Sequence, residues 1–201
     1  MVQILKNSNS ALQTVVNKLR NGGIVCFPTE TVYALACDAC NEDAITKIYK
    51  LKQRHFHHPL SLLVNNVEQV KQIAYIDDKI EAIINKFSPG AITYILHKKT
   101  SSGLSSLVNS VSNTIGIRIP KHDIAQAVLE LFIKPIIATS TNVSGKKSAS
   151  SVDEIDPVLA ESIDIIIDGG KTQYSTDSTV IDLTDSKKIR ILREGVIKLT
   201  E

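Results

Sequence analysis

Residues 24–31 read IVCFPTET, a short apolar run that leads directly into a polar turn. Four consecutive apolar residues that end at a turn predict a short buried strand. Upstream of this strand, four apolar residues recur with the spacing of one helical face, namely Leu12, Val15, Val16 and Leu19. Ser10 is placed to cap that helix and Gly22 to end it. The amino-terminal segment is therefore predicted to fold as a helix followed by a strand and a polar turn.

The rest of the chain mixes helix and strand patterns without strict alternation. Helices are predicted after Asn41, over 67–74, 78–87 and 124–132, and in a short segment that starts with a capping box at Ser151. Strands are predicted at 60–64, 91–96, 114–119, 136–139, 163–167, 179–183 and 189–192. The last three are consecutive, which favours antiparallel pairs among them. We expect a single α/β domain over residues 1–201, with a twisted mixed β-sheet flanked by helices.

The composition is that of an ordinary soluble globular protein, since 43% of the 201 residues are hydrophobic and 22% are charged. This balance excludes a disordered chain, a collagen-like repeat and a coiled coil. The apolar stretches are far shorter than the roughly 20 residues that a membrane span needs. Residues 1–6 lack the apolar region of a signal peptide. We therefore expect a cytoplasmic protein that contacts no membrane.

The three cysteines, Cys26, Cys37 and Cys40, are too few for a disulfide framework and are expected to be reduced thiols. Cys37 and Cys40 have the spacing of a metal-ligand pair, and the histidines within residues 55–58 would complete a zinc site on paper. The chain has no second such pair, and small buried cysteines are common. We therefore expect no metal site in the protein.

Positive charge is concentrated in residues 47–58. The net charge is only +2, yet this segment holds four lysines and arginines, three histidines and no acid. The concentration suggests a site for a small anion rather than a long nucleic-acid track. The alternative is structural, because Lys50, Lys52 and Arg54 end the helix that follows Asn41, where solvated cations offset the helix dipole. Charge alone does not decide between the two.

Three polar segments follow predicted strands, where α/β sheets tend to place binding sites. They are residues 28–31, 139–151 and 177–179. The second has seven hydroxyl side chains, two lysines and no acid, which suits hydrogen bonding to phosphate but also fits an ordinary solvated loop. Arg118 lies inside an apolar strand pattern, where it either points to solvent or binds an anion. Its planar fork suits a carboxylate.

Seven short motifs occur in an order that resembles the YrdC-like threonylcarbamoyl-AMP synthase family. They are PTETVYAL at 28–35, KQR at 52–54, FSPG at 87–90, TIGIRIPKH at 114–122, STN at 140–142, DSTV at 177–180 and LREG at 192–195. The resemblance covers about residues 22–197 and is to the single-domain form of the family. The chain departs from the usual pattern at Ala34 and Ala36, which replace glycines, at His55, which replaces a proline, and at Asp177, which replaces a glutamate.

The resemblance implies the YrdC-like fold and the family's reaction. In that reaction L-threonine, bicarbonate or CO2, and ATP with its Mg²⁺ form threonylcarbamoyl-AMP and pyrophosphate. The product serves N6-threonylcarbamoylation of adenosine at position 37 of tRNAs that read ANN codons, so the implied partners are downstream tRNA threonylcarbamoyl-transfer proteins. The implied catalytic residues are Lys52, Arg54, Ser140 and Asn142. The implied threonine-binding residues are Thr29, Thr31, Arg118 and Ser178. The implied ATP-binding residues are Lys52, Arg54, Thr114, Ser140, Asn142, Ser148 and Arg193.

Two other functions stay open on the sequence. One is a non-catalytic RNA-binding module, which the small net charge and the 4% aromatic content disfavour, since single-strand binders stack bases on aromatic rings. We expect at most weak binding of RNA or tRNA. The other is carbamoyl transfer to a different acceptor, as in hydrogenase-maturation proteins that contain related domains. Those chains are much longer and carry acylphosphatase and zinc-finger regions, which this sequence lacks.

Overall fold

The computed structural model describes residues 2–109 and 112–199, and the strands it describes join in one mixed sheet. The strands, numbered along the chain, are β1 Gln3–Lys6, β2 Val25–Pro28, β3 Tyr33–Asp38, β4 Ser61–Leu63, β5 Ala74–Tyr75, β6 Ile92–Lys98, β7 Thr114–Arg118, β8 Ile136–Ser140, β9 Ile165–Asp168, β10 Thr179–Asp182 and β11 Arg190–Arg193. The helices are α1 Asn9–Arg20, α2 Glu42–Leu51, α3 Val67–Ile73, α4 Asp78–Phe87, α5 Asp123–Phe132 and α6 Pro157–Ala160, with short 3₁₀ turns at Ser106–Val108 and Val152–Glu154. The predicted α/β fold, a mixed sheet flanked by helices, is confirmed.

The strand order across the sheet is β1-β9-β2-β3-β8-β4-β7-β6-β10-β11, with β5 attached to β6. β10 and β11 pair antiparallel, as predicted. The expected pairing of β9 with β10 is wrong, because β9 pairs parallel with β1 and β2 near the other edge of the sheet. The connection over residues 169–178 crosses the sheet and bonds to the polar turn after β2 on its way.

Local chemistry sets the helix starts. α2 begins after Asn41, as predicted, and the Asn41 side chain caps it. α1 is capped by Ser8 and not by the predicted Ser10, because Ser8 Oγ accepts a hydrogen bond from the Ala11 amide at 3.2 Å. Two serines two residues apart offer the same capping chemistry, so the sequence does not separate them.

The capping box expected at Ser151 does not form. Ser151 makes no side-chain capping bond, and the segment that follows is a single 3₁₀ turn. Glu154 instead accepts hydrogen bonds from the amide and the hydroxyl of Ser150. The prediction is therefore wrong about the partner of Glu154, although helical turns do begin here.

The sequence patterns do not predict β1, β3 or β5. β3 reads YALACD and is buried at every position, so it shows none of the apolar-polar alternation of a half-exposed strand. It pairs antiparallel with β2 and β8. Ala34 and Ala36 lie within it, and neither is among the described residues with positive φ. Alanine in place of glycine therefore causes no backbone strain there.

Helices cover both faces of the sheet. On one face α1 and α5 pack together, and Val16 and Val128 belong to the same buried cluster as Phe27 of β2. On the other face α2, α3 and α4 form the larger core cluster, in which Ile48 and Ile117 are fully buried. None of the helices in the described ranges is long and apolar enough to cross a membrane.

On the sheet face that α1 and α5 cover, the strands β4, β7 and β8 carry small side chains. Open space is therefore left above these three strands. Ser61 pairs in register with both Gly116 and Ala138, so the three residues share this face. A Cβ on Gly116 would lie 2.6 Å from Ser61 Oγ and 3.3 Å from Ile95 Cδ1. Small side chains therefore form the floor of an open cavity.

Candidate active site

A cavity of about 300 Å³ lies over this floor. Its lining comes from the turn after β2, the segment after α2, the ends of β7, β8 and β11, and the residues just before β10. The implied site residues that line it are Thr29, Thr31, Arg54, Arg118, Ser140, Ser178 and Arg193. The fold thus gathers both the implied threonine-binding set and part of the implied ATP-binding set in one place.

Four implied site residues lie outside the lining, namely Lys52, Thr114, Asn142 and Ser148. Thr114 is on the cavity face of β7, two residues before Gly116, but at the opposite end of the strand from Arg118. Its hydroxyl lies 2.8 Å from Ser112 Oγ. Thr114 would therefore contact only a ligand that extends beyond the cavity along β7.

Lys52 is only 1% exposed, and its ammonium group has three oxygen acceptors. Nζ donates to the Ser140 carbonyl at 2.5 Å, to the Asn142 carbonyl at 2.8 Å and to Asn142 Oδ1 at 2.9 Å. The structural alternative, a solvated charge at a helix end, is therefore wrong for Lys52, although Lys47 and Lys50 are exposed. An ammonium has three donors, so Lys52 cannot bind a phosphate oxygen without releasing one of these acceptors.

The surroundings of Lys52 shift its proton equilibrium. Burial lowers the pKa of Lys52 to about 8, the charge of Arg54 acts in the same direction, and Asp177 opposes the shift. At pH 7 the amine is still mostly protonated. Lys52 can thus supply all three hydrogen bonds under physiological conditions.

The chain reverses at the end of α2, so the side chains of Lys52 and Arg54 lie in different environments. Gln53, between them, has a φ of 49°, in the left-handed region. The amides of Gln53 and Arg54 bond back to the last turn of α2, which closes a Schellman motif and reverses the chain. Lys52 reaches the interior, whereas Arg54 lines the cavity, with Nε and Nη2 bound to the carbonyls of residues 58 and 59. Within residues 2–109 and 112–199 the Arg54 guanidinium makes no other hydrogen bond, so its remaining hydrogens are available to a ligand.

Ser140 and Asn142 bind each other. Ser140 Oγ donates to Asn142 Oδ1 at 2.7 Å, and Asn142 Nδ2 donates to the Lys146 carbonyl. Asn142 Oδ1 therefore accepts from both Ser140 and Lys52. A phosphate bound beside Ser140 would need the hydroxyl hydrogen to turn away from Asn142.

Thr29, Thr31 and Arg118 form one hydrogen-bonded wall of the cavity. Thr29 Oγ1 donates to the Val32 carbonyl at 2.7 Å and lies 2.9 Å from Thr31 Oγ1. Arg118 Nη1 donates to Thr31 Oγ1 at 2.8 Å, and its Nε donates to the Gly90 carbonyl at 3.2 Å. Arg118 is buried, so its guanidinium is held by the protein and does not point to solvent.

Glu30, which is not among the predicted site residues, is the charged partner of Arg118. Arg118 Nη2 lies 2.8 Å from Glu30 Oε1, and the two side chains are only 9% and 3% exposed. The contact is an ion pair without hydrogen-bond alignment, so neither Glu30 oxygen has a hydrogen-bond partner among the described residues. A signal existed in the sequence: a buried arginine needs a carboxylate, and Glu30 is the acid of the polar turn.

Ser178 and Arg193 form a second wall. Ser178 Oγ lies 2.8 Å from Thr93 Oγ1, and Arg193 Nη2 donates to the Ser178 carbonyl at 2.8 Å. Asp177 accepts a hydrogen bond from Ser148 Oγ at 3.0 Å and lies 3.8 Å from Arg193 Nη1. Ser148 therefore contacts the cavity lining through Asp177 and not directly.

No group of three histidine, cysteine, aspartate or glutamate side chains is placed to share a metal ion within residues 2–109 and 112–199. Cys26 and Cys37 are buried free thiols, and burial raises the pKa of Cys26 to about 12. Cys40 and residues 55–58 are exposed. The two cysteines of the CxxC spacing therefore lie in different environments, since Cys37 is buried and Cys40 is exposed.

Comparison with known proteins gives one family. The Sua5/yciO/yrdC family model, described as telomere recombination, matches residues 17–195. A Methanocaldococcus jannaschii protein with a provisional threonylcarbamoyl-AMP synthase name is 42% identical over 188 residues, which cover 94% of this chain and 87% of that protein. The Pyrococcus abyssi threonylcarbamoyl-AMP synthase is 37% identical over 184 residues, and the match covers 91% of this chain but 53% of that protein.

Solved structures share the architecture. P. abyssi Sua5 complexed with L-threonine matches with a TM-score of 0.87 and 33% identity over 97% of this chain and 57% of that chain. Escherichia coli YciO matches with a TM-score of 0.88 and 29% identity over 98% of this chain and 97% of that chain. The E. coli protein carries no functional name. The fold therefore matches both a protein solved with L-threonine and one without a named activity.

Proposed function

The chain belongs to the Sua5/YciO/YrdC family, and on that premise we propose that it is a threonylcarbamoyl-AMP synthase. The reaction joins L-threonine, CO2 or bicarbonate, and ATP into threonylcarbamoyl-AMP and releases pyrophosphate. One observation carries the proposal: a single cavity holds Arg118 between hydroxyl groups and also holds two further arginines, Arg54 and Arg193. Such a site suits an amino acid and a nucleotide phosphate side by side.

The chemistry divides into two bond-forming steps. The threonine nitrogen forms a bond to the carbon of CO2 and loses a proton, which gives a carbamate. A carbamate oxygen then forms a bond to the α-phosphorus of ATP as the bond from that phosphorus to the bridging oxygen breaks. Pyrophosphate leaves with the electron pair. Negative charge therefore develops on the α-phosphoryl oxygens and on the leaving group, which is where the protein must place donors.

The residues of the cavity form two groups, one that binds L-threonine and one that binds the nucleotide. Arg118 binds the threonine carboxylate with the guanidinium hydrogens that Thr31 and Gly90 leave free, while Thr29, Thr31 and Ser178 offer hydroxyl partners to the amine and hydroxyl. The hydroxyl of Ser178 already contacts Thr93, so it would reorient on binding.

The part of the cavity that would bind the nucleotide, its nucleotide side, is formed by Arg54, Arg193 and Ser140. Each preorganised donor of this kind contributes roughly 3–4 kcal/mol in comparable sites. Lys52 and Asn142 contribute by fixing the main chain and the hydroxyl at Ser140. Ser148 acts on the nucleotide side through Asp177. Mg²⁺ enters as the metal of the nucleotide substrate, since the phosphates supply most of its ligands.

The proposed product is an activated carbamoyl donor. It serves tRNA modification at position 37 through downstream tRNA threonylcarbamoyl-transfer proteins, and we place this activity in the cytoplasm. Weak binding of RNA or tRNA is compatible with the exposed positive charge at Lys47 and Lys50. Mixed acyl phosphates react readily with water, so the class of reaction that consumes the product must follow closely.

Pyrophosphate release tests this proposal. The purified chain is assayed with ATP and Mg²⁺, with L-threonine and bicarbonate added singly and together. We expect release only when both are present, together with a new species of the mass of threonylcarbamoyl-AMP. Release that is independent of threonine would overturn the proposal. Arg54→Gln should lower kcat by about 10²–10³, whereas Arg190→Gln, a half-exposed arginine outside the cavity lining, serves as the matched control.

Amino-acid analogues test the threonine site. Serine lacks one methyl group, which a pocket distinguishes by about 1–3 kcal/mol. Valine keeps the shape but lacks the hydroxyl, so it leaves polar groups of the site unpaired. We expect serine to be a poor substrate and valine a worse one. Equal kcat/KM for valine and threonine would show that the hydroxyl is not recognised.

A further inference from the structure

Glu30 is a buried carboxylate that the proposed reaction does not use. It is 2% exposed, and neither of its oxygens has a hydrogen-bond partner in the described part of the chain. Buried carboxylates normally accept several hydrogen bonds, because the loss of hydration is otherwise uncompensated. The group that Glu30 contacts is the guanidinium of Arg118, at 2.8 Å.

The main chain around Glu30 is fixed from outside the cavity. Thr172 Oγ1 donates to the Thr31 carbonyl at 2.9 Å, and the Tyr174 amide donates to the Glu30 carbonyl at 2.9 Å. Both donors belong to the crossing connection of residues 169–178. The connection thereby holds the polar turn in place and fixes the direction from which the carboxylate meets Arg118.

Glu30 is absent from the cavity lining, whereas Arg118 is part of it. Glu30 therefore does not touch a ligand in the cavity and can act on one only through Arg118. Two other partners, Gly90 and Thr31, fix Nε and Nη1 of the guanidinium. Glu30 fixes the remaining nitrogen, Nη2.

His122 lies close enough to Glu30 and Arg118 for their charges to affect its proton equilibrium. Burial is the largest effect and lowers its pKa, so His122 is neutral at pH 7. Its Nδ1 has no hydrogen-bond partner among the described residues. The charge of Glu30 is therefore balanced by Arg118 and not by an imidazolium. A buried ion pair whose carboxylate accepts no hydrogen bond is a poor source of stability, which points to a role in the site.

We propose that Glu30 is a positioning residue, which sets the orientation of the Arg118 fork toward the amino-acid carboxylate. This inference rests on the proposed function, because that carboxylate belongs to L-threonine. Removal of the charge leaves the guanidinium held by two neutral acceptors alone, so the whole group moves more freely and the amino-acid carboxylate loses a bidentate partner that was preorganised. Binding of the amino acid weakens, while the phosphate chemistry at Arg54 and Arg193 is unaffected.

Glu30→Gln tests the proposal because it keeps the shape of the side chain and removes its charge. We expect the KM for L-threonine to rise about 10- to 100-fold, while kcat and the KM for ATP stay within about threefold. Glu30→Asp keeps the charge on a shorter side chain and should give an intermediate KM for L-threonine. The matched control is Asp182→Asn, which neutralises the carboxylate of the Asp182–Arg190 pair outside the cavity lining. The control should leave all three constants within about threefold.

The guanidinium NMR signals of Arg118 give a readout that needs no turnover. They are assigned by their loss in Arg118→Lys. In the parent we expect separate Nη–H signals from a guanidinium that does not rotate, and in Glu30→Gln averaged signals from one that does. If Glu30→Gln and Glu30→Asp change neither the threonine KM nor these signals, Glu30 is only structural and the inference is wrong. If the parent releases no pyrophosphate with threonine, the proposed function fails, and the NMR signals alone decide the role of Glu30.

Discussion

Lys52 is an ammonium group that supports three oxygen atoms of a neighbouring segment. Its removal would leave the carbonyls of Ser140 and Asn142 and the Asn142 side-chain oxygen without this donor. We expect Lys52→Met to lower the free energy of unfolding by about 2–4 kcal/mol, in line with the loss of donors to buried acceptors. The same variant should lose most turnover, because Ser140 is no longer fixed. Urea denaturation measures the first effect. Lys50→Met is the exposed control and should change stability by less than about 0.5 kcal/mol.

The lowered pKa of Lys52 predicts a pH dependence with a definite sign. The folded pKa is about 8 and the unfolded value is about 10.4. Between these two values the unfolded state binds more protons, so stability rises with pH. The difference in unfolding free energy between the parent and Lys52→Met should grow by about 2.5 kcal/mol from pH 8 to pH 10.5. The comparison with Lys52→Met cancels the tyrosines and cysteines that titrate in the same range. A difference that stays constant or falls with pH would contradict the burial of this charge.

A helix-end lysine gives no local sign of such a role. Lys47, Lys50 and Lys52 look alike in the sequence, and only the last is buried, because its acceptors are contributed by a segment 88 and 90 positions away. Lys52 can therefore be recognised as a site residue only because it matches the family motif KQR at 52–54, and not from local features of the sequence. Arg118 differs, since an arginine inside an apolar strand pattern already limits the interpretation to a side chain that faces solvent or one that binds an anion. Its partner, Glu30, lies within the PTETVYAL motif, but the hydroxyl groups of that turn point to Thr29 and Thr31 as binding residues and not to the acid between them.

At the scale of elements, the end of α2 depends on one strained residue. Gln53 occupies the left-handed region, where a residue with a Cβ costs about 1–2 kcal/mol. Glycine removes that cost but loses more entropy on folding. We expect Gln53→Gly to raise the free energy of unfolding by about 0.5–1 kcal/mol, and Gln53→Val, which is β-branched, to lower it by about 1 kcal/mol or more. Denaturant titrations of the three proteins check this order. The reverse order would mean that the turn after α2 is not a Schellman motif.

The floor of the cavity depends on a close approach between β4 and β7. A Cβ on Gly116 would meet Ser61 Oγ at 2.6 Å, so Gly116→Ala should destabilise the protein by about 1–3 kcal/mol. Ser61→Gly removes the obstructing hydroxyl and should recover most of that loss in the double variant Ser61→Gly/Gly116→Ala. A double-mutant cycle by thermal unfolding measures the coupling. Additive effects of the two substitutions would show that Ser61 and Gly116 do not meet.

Elements with periodic patterns were predictable, and elements defined only by long-range pairing were not. α4 runs from Asp78 to Phe87 as predicted, because its apolar stripe and capping aspartate are local features. β3 has no alternation, since both of its faces are buried, and the partners that make it a strand are β2 and β8. The position of β9 beside β1 and β2 depends on a connection that crosses the sheet, and no local pattern encodes that choice.

At the scale of the whole molecule, the cavity exists because distant segments meet over one face of the central strands. The hydroxyls of the turn after β2, Arg118 from β7 and Ser178 before β10 are brought together by the order of the central strands. Composition and periodicity predict the layers of this fold but not the order of its strands. The site could be anticipated only through the order of its motifs. The departures at Ala34 and Ala36 cause no strain, because β3 keeps both alanines extended.

Because the cavity joins segments from most of the chain, its ligands should stabilise the fold as a whole. A ligand at 100 times its Kd adds about 2.7 kcal/mol to the free energy of unfolding. For a chain of this size each kcal/mol shifts Tm by about 2–4 °C, so L-threonine and Mg-ATP should each raise Tm by about 5–10 °C at that saturation. Differential scanning calorimetry measures the shifts, with D-threonine as the control for non-specific effects. Arg118→Lys should lose most of the shift caused by L-threonine and keep the shift caused by Mg-ATP, because lysine cannot bind a carboxylate bidentately. If the variant keeps the full shift with L-threonine, Arg118 does not hold the amino acid, and the division of the cavity into a threonine side and a nucleotide side is wrong.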